Sequence, residues 1–153
     1  MKKLPIGIST LGKMLRGDYV YVDKTRQILS LTEAGGYYCL SRPRRFGKSL
    51  LIDTLRELFS GNEVLFEGLY IHPHWDWSIK HPVIHISFGS GVLKNRAELD
   101  VQINDLLQLN QQRLDIHCDR DSIPGHFAEL IRKAQEKFQQ GVVILVDEYD
   151  KPI

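Results

Sequence analysis

The sequence predicts an α/β fold in three layers, with a mostly parallel sheet between helices. Three observations predict it. The stretch Gly141-Val142-Val143-Ile144-Leu145-Val146 is continuously apolar, the pattern of a strand buried on both faces of a parallel sheet. Pro82 to Phe88 places Val83, Ile84, Ile86 and Phe88 in a β-branched, alternating run, which reads as a further strand. Segments of helical spacing lie between the apolar runs, as parallel strands joined by crossovers require.

The first strand is expected at Tyr37-Tyr38-Cys39-Leu40. Arg42-Pro43-Arg44-Arg45-Phe46-Gly47-Lys48-Ser49 follows it, and an amphipathic segment from Leu50 to Phe59 comes next. Strand, loop and helix in that order make a phosphate-binding loop, the Walker A motif. Gly47 lets backbone N–H groups turn inward on a phosphate. Lys48 reaches the β- and γ-phosphates, and Ser49 can place its hydroxyl on Mg²⁺. The helix that starts here adds the positive end of its dipole. Arg44, Arg45, Phe46, Gly47, Lys48, Ser49 and Leu50 are the candidate nucleotide-binding residues. Arg42 stands where the pattern Gly-x-x-x-x-Gly-Lys-Ser/Thr has its first Gly. The bland alternative is a basic loop ahead of a surface helix.

The other end of the chain weighs against that alternative. The apolar run ends in Asp147-Glu148. Unpaired carboxylates are costly to bury, so their place at a strand end calls for a reason. Open α/β sheets bind ligands at the carboxyl edge of the strands. There Asp147 would hold Mg²⁺, directly or through water, and Glu148 would polarise an attacking water. With Lys48, Glu148 forms the candidate catalytic pair, and Ser49 with Asp147 the candidate metal set. Together the loop and the acidic strand end make a Walker A and Walker B pair.

Four strings also carry a resemblance. Leu4-Pro5-Ile6-Gly7-Ile8-Ser9, Tyr21-Val22-Asp23-Lys24-Thr25, Arg42 to Ser49 and Asp147-Glu148-Tyr149-Asp150-Lys151-Pro152-Ile153 occur in an order that resembles the bacterial AAA-ATPase-like family of predicted P-loop ATPases. An Arg at the first-Gly position is a habit of that family. The resemblance implies an ATP-binding domain that hydrolyses ATP with Mg²⁺ within a longer cytoplasmic protein, often fused to a C-terminal PD-(D/E)XK nuclease-like domain. The alternative is a nucleotide-gated switch or scaffold, with negligible hydrolysis, that controls such a domain. Residues 1–36 are expected to cover the nucleotide site, with Ile6 to Asp23 as candidates for the base pocket. Residues 37–153 are expected to form the N-terminal part of the P-loop domain. In P-loop ATPases with a Glu after the Walker Asp, another strand normally separates the two Walker strands. By chain order it would follow residue 153. The sheet is therefore expected to be incomplete, and the isolated chain inactive and inclined to self-associate.

The remaining elements follow in order. Thr10 to Arg16 suits a short helix and Tyr19 to Val22 an extended stretch. Tyr19 and Tyr21 are candidates for stacking on a purine or for packing in the core. Asp23 is a good N-cap for a helix from Lys24 to Ala34, which Gly35-Gly36 stops. The helix after the phosphate loop runs from Ser49 to Phe59. Residues 62–81 are irregular, and His72-Pro73-His74-Trp75-Asp76-Trp77 reads as a packed loop rather than a metal site. A long helix is expected from Asn95 to His117, with Leu99, Ile103, Leu106, Leu107 and Leu114 on one side. A second runs from Pro124 to Phe138 and buries Phe127, Leu130, Ile131, Ala134 and Phe138.

Composition narrows the function. The 153 residues suit one domain, and the net charge of +1 argues against a chain-wide field for nucleic acid or membrane. These residues are not expected to bind nucleic acid themselves; any such contact would lie in a part beyond them. The cations cluster at Arg42, Arg44, Arg45 and Lys48, which suits a polyanion. Arg44 and Arg45 are candidates for contact with a γ-phosphate or with a phosphate on a neighbour. Asp150 and Lys151 either pair with each other or line the site. Cys39 and Cys118 match no metal spacing. No apolar run reaches the roughly 18 residues of a membrane helix.

Overall fold

Residues 1–43, 46–89, 91 and 93–150 are described by the computed structural model. They fall into two compact units, Met1–Ile79 and Lys80–Ile153.

In the first unit, α1 (Leu11–Arg16), α2 (Thr25–Ala34) and α3 (Lys48–Phe59) precede two 3₁₀ turns, Glu63–Phe66 and His72–His74. Leu11, Met14, Ile28, Leu55, Leu58, Leu65, Phe66 and Ile71 are buried. Leu55 and Leu58, in the segment predicted to be amphipathic, thus supply part of this core. Helix α2 starts one residue later than the capping pattern suggests, at Thr25. Asp23 still serves it, because Asp23 Oδ1 accepts from the Thr25 N–H (2.8 Å) and hydroxyl (2.6 Å). The tryptophans close the loop after the 3₁₀ turns. Trp75 meets Phe59 edge-on at 5.4 Å, Trp77 packs on Phe66 at 5.2 Å, and the Trp77 indole N–H donates to the His72 carbonyl (2.9 Å).

The strand expected at Tyr37 to Leu40 is not formed. Tyr37, Tyr38 and Leu40 are 106%, 55% and 43% exposed. Four apolar residues satisfy the strand pattern, but a strand also needs a neighbour for its backbone and a face to bury. Pairing of the Tyr19–Val22 stretch is limited to a single bridge between Lys3 and Tyr19.

In the second unit, β1 (Val83–Ser87), α4 (Arg96–Leu114), α5 (Ile123–Phe138) and β2 (Val143–Asp147) follow one another. The strands pair in parallel, with Val83 opposite Val143 and Ser87 opposite Asp147. This is an α/β unit with a two-stranded parallel sheet, and both strands lie where the sequence pattern places them. Ile84 and Ile86 of β1 meet Leu107 of α4 and Leu130 of α5 in the core, with Ile103, Leu106, Phe127 and Val142 around them. Helix α4 begins with a capping box. Asn95 Oδ1 accepts from the Glu98 N–H (2.9 Å), and Glu98 Oε2 accepts from the Lys94 N–H (2.8 Å). The helix stops at Leu114, short of the predicted His117, because Asp115 turns left-handed (φ 53°). Lys137 of α5 then donates to the Leu114 and Asp115 carbonyls (both 2.9 Å).

Strand β2 departs from the expectation of burial on both faces. Leu145 is 7% exposed, but Ile144 and Val146 are 42% and 41% exposed. The ladder pairs β2 on one side. The Val143 N–H donates to the Pro82 carbonyl (2.9 Å), and the Asp147 carbonyl accepts from the Phe88 N–H (3.2 Å). Val143, Leu145 and Asp147 therefore direct their backbone groups to β1, and those of Ile144 and Val146 face away from it. Ile144 and Val146 sit on the sheet margin while Ile84 and Ile86 take the helices. The outer edge of β1 is capped at His85. Asn110 of α4 accepts from the His85 N–H (2.9 Å) and donates to the His85 carbonyl (2.8 Å), as a neighbouring strand would. Asn110 also donates to the Leu106 carbonyl (2.8 Å) and accepts from Arg113.

The α4–α5 connection carries a pH-sensitive clasp. Glu129 accepts from the Arg120 N–H (3.0 Å) and the Asp119 N–H (3.1 Å), and Lys133 lies 3.1 Å away. The Arg120 N–H, aided by Lys133 and the Asp119 N–H against the cost of burial, lowers its pKa from 4.5 to about 2. A lowered carboxylate stabilises the fold above its unfolded value and loses that contribution as pH falls through its folded value. Thermal melts between about pH 5 and pH 2 should therefore fall more steeply for the wild type than for Glu129→Gln.

Candidate functional site

The first candidate segment is the start of α3. Gly47 occupies the N-cap in the left-handed region (φ 78°), and a β-carbon there would meet no atom within 4 Å. Its requirement is thus conformational: other residues pay for positive φ even in open space. The Leu51 N–H donates to the Gly47 carbonyl (3.0 Å), which is the first helical bond. Lys48, Ser49 and Leu50 are the first three helical residues, whose N–H groups an α-helix leaves without internal acceptors. All three are half-buried, and Phe46 and Gly47 are exposed. This places five of the seven predicted nucleotide-binding residues together. Arg44 and Arg45 lie outside the described residues.

Helix α3 is held from behind. Asp53 is buried, and its Oδ2 accepts from the Leu11 N–H at the start of α1 (2.7 Å). Its Oδ1 accepts from Arg56 (2.6 Å). The buried Thr25 hydroxyl accepts from the Ile71 N–H (3.1 Å), and Asp23 Oδ2 from the Tyr70 N–H (2.7 Å). These bonds fix the segment before α2 within the unit that carries the loop. Tyr19 packs on Gly17, where a β-carbon would fall 2.3 Å from the tyrosine ring. Tyr21 is half-buried, and burial together with the Asp23 charge pushes its pKa up to about 12. Hydrogen bonds from Thr25 and Tyr70 outweigh burial at Asp23 and hold its carboxyl below the usual range.

The second candidate segment is the end of β2. Asp147 is the last strand residue, opposite Ser87, and Glu148 follows it with φ 53°. Asp147 Oδ1 accepts from the Glu148 N–H (2.9 Å), so the two carboxylates leave the strand on one turn. Both are half-buried, whereas Asp150 is exposed; Lys151 lies outside the described residues. Sequence reasoning missed Asp53, Ser87 and Gly89. The signal for Ser87 was available, since it ends the alternating run that pairs with the strand ending in Asp147.

Ser49 and Asp147, the candidate metal residues, both carry oxygen donors, the kind that Mg²⁺ takes. Among the described residues, no group of three or more His, Cys, Asp or Glu stands together to hold a metal. A metal here would depend on phosphate oxygens and water beside one or two protein oxygens, which is how Mg²⁺ is bound with nucleotides.

A family model described as a predicted AAA-ATPase matches residues 5–153. The chain belongs to the predicted AAA-ATPase family. This AAA-ATPase-like chain is also 56% identical, over 99% of its length, to an "Uncharacterized protein in vnfD 5'region" of Azotobacter chroococcum mcd 1. It spans 30% of that relative's length. No solved structure matches the AAA-ATPase-like chain. Among its described residues, no helix is long and apolar enough to cross a membrane.

Proposed function

We propose that this AAA-ATPase-like chain binds ATP with Mg²⁺ and that the longer protein containing it hydrolyses the nucleotide. The observation that carries the reading is Gly47 in the left-handed region, opening α3 at Lys48-Ser49. Lys48 neutralises phosphate charge, and the N–H groups at the start of α3 donate to the phosphate oxygens. Ser49 and Asp147 would hold the metal, which when bound offsets charge on the phosphates. Glu148 orients the attacking water and takes its proton. Catalysis of this kind is mainly positioning and electrostatics. Arg44 and Arg45 add charge toward the same polyanion, and the stretch Ile6 to Asp23 is the proposed cover for the base. Membership of the family and the conformation of each motif support these roles. A P-loop sheet with a further strand between the Walker strands is the architecture that this reading entails.

The relative's greater length favours a second part of the reading, in which nucleotide state is passed to a further domain, the nuclease-like one in the family resemblance. Calorimetric titration of the full-length protein with ATP, with and without Mg²⁺, tests the site. Saturable binding that strengthens with Mg²⁺ is expected. Heats of dilution alone in both titrations would sink the proposal.

A further inference from the structure

The turn after β1 contains a glycine whose requirement is spatial. Gly89 does not have a positive φ, so its backbone is open to any residue. Its missing side chain is what the surroundings need. A β-carbon at Gly89 would lie 3.3 Å from Glu148 Oε1, 3.4 Å from Glu148 Cδ and 3.3 Å from Ser87 Oγ. It would enter between the hydroxyl that ends β1 and the carboxylate that follows β2. The opposite side of this contact is set by the backbone. Glu148 is one of three non-glycine residues with positive φ among those described, and its N–H is held by Asp147 Oδ1. The Phe88 N–H bond to the Asp147 carbonyl fixes the two strand ends relative to each other. A side chain at Gly89 would therefore oblige the Glu148 carboxylate to give way.

We propose that Gly89 is a positioning residue for Glu148, holding open the space in which the Glu148 carboxylate meets its water. The inference rests on the proposed function, because that reading gives the carboxylate its role. The obstacle to a side chain at Gly89 is the far end of a flexible glutamate. A substitution should therefore displace the carboxylate while leaving the fold intact. Misplacing a reacting group by about 1 Å can cost roughly 100-fold in rate.

The test is Gly89→Ala, with Gly89→Val as the larger step, in the full-length protein. Turnover, Mg-ATP affinity and thermal midpoint are measured for each. Gly89→Ala should lower kcat roughly 3- to 10-fold, and Gly89→Val should lower it further, with affinity and midpoint unchanged. In the Glu148→Gln background, Gly89→Ala should slow turnover no further, because both changes act through one carboxylate. A Gly89→Ala kcat within about twofold of wild type would overturn the inference, as would an equal loss in both backgrounds. Affinity and midpoint falling together with kcat would overturn it in favour of a structural role. If Glu148→Gln alone leaves turnover unchanged, the role given to Glu148 fails and the inference fails with it.

Discussion

Glu148→Gln is expected to lower ATP turnover by about 100- to 10,000-fold while leaving Mg-ATP binding in place. The change keeps the size of the side chain and removes its ability to take a proton. The Glu148 backbone is already committed to a left-handed turn by its bond to Asp147, and a glutamine can keep that turn. The loss should therefore fall on kcat. Steady-state phosphate release gives the rate, and calorimetry gives the affinity. Turnover within about tenfold of wild type would mean that water is activated by another group. It would favour the switch reading, in which hydrolysis contributes little.

Lys48→Ala is expected to weaken Mg-ATP binding by at least about 10-fold, since hydrogen bonds to charged groups contribute roughly 1.5–3 kcal/mol. Lys48 is the first residue of α3, so its side chain and the positive end of the helix act on the same phosphates. Alanine is a good helix former, and α3 should survive the change. The competitor reading, a basic loop ahead of a surface helix, predicts an unchanged titration. Retained affinity in the variant would thus remove the phosphate loop from the account. Circular dichroism of the variant keeps the comparison fair, because lost helix signal would show that α3 had melted instead.

What could be read from the sequence depended on how local the determinant was. The strands near residues 83–87 and 143–147 were legible because apolar period and continuity are written in adjacent residues. Helices α3 and α5 were legible from their stripes. The segment Tyr37 to Leu40 misled because four apolar residues specify only half a strand; the other half is a partner. The C-terminus of α4 was misplaced because Lys137, from a different helix, caps its last carbonyls. Asp53, Gly89 and Asn110 were missed for a shared reason. Asp53 acts on a residue 42 positions away, and Asn110 on one 25 positions away. Gly89 likewise acts through its proximity to Glu148. Nothing in the local pattern of these residues separates them from ordinary polar or turn positions.

Asn110 has a consequence for how copies of the chain can combine. A sheet that is open on both sides can add units without limit, as filaments do. Here the side chain of Asn110 occupies the backbone groups of His85 on one side, and Ile144 and Val146 border the other. Growth by strand addition is therefore one-sided. Two copies that met through their β2 margins would each spend their open side on the other, and the assembly would terminate at a pair. A strand supplied from elsewhere in the same polypeptide would use that margin up and leave nothing for a second copy to join.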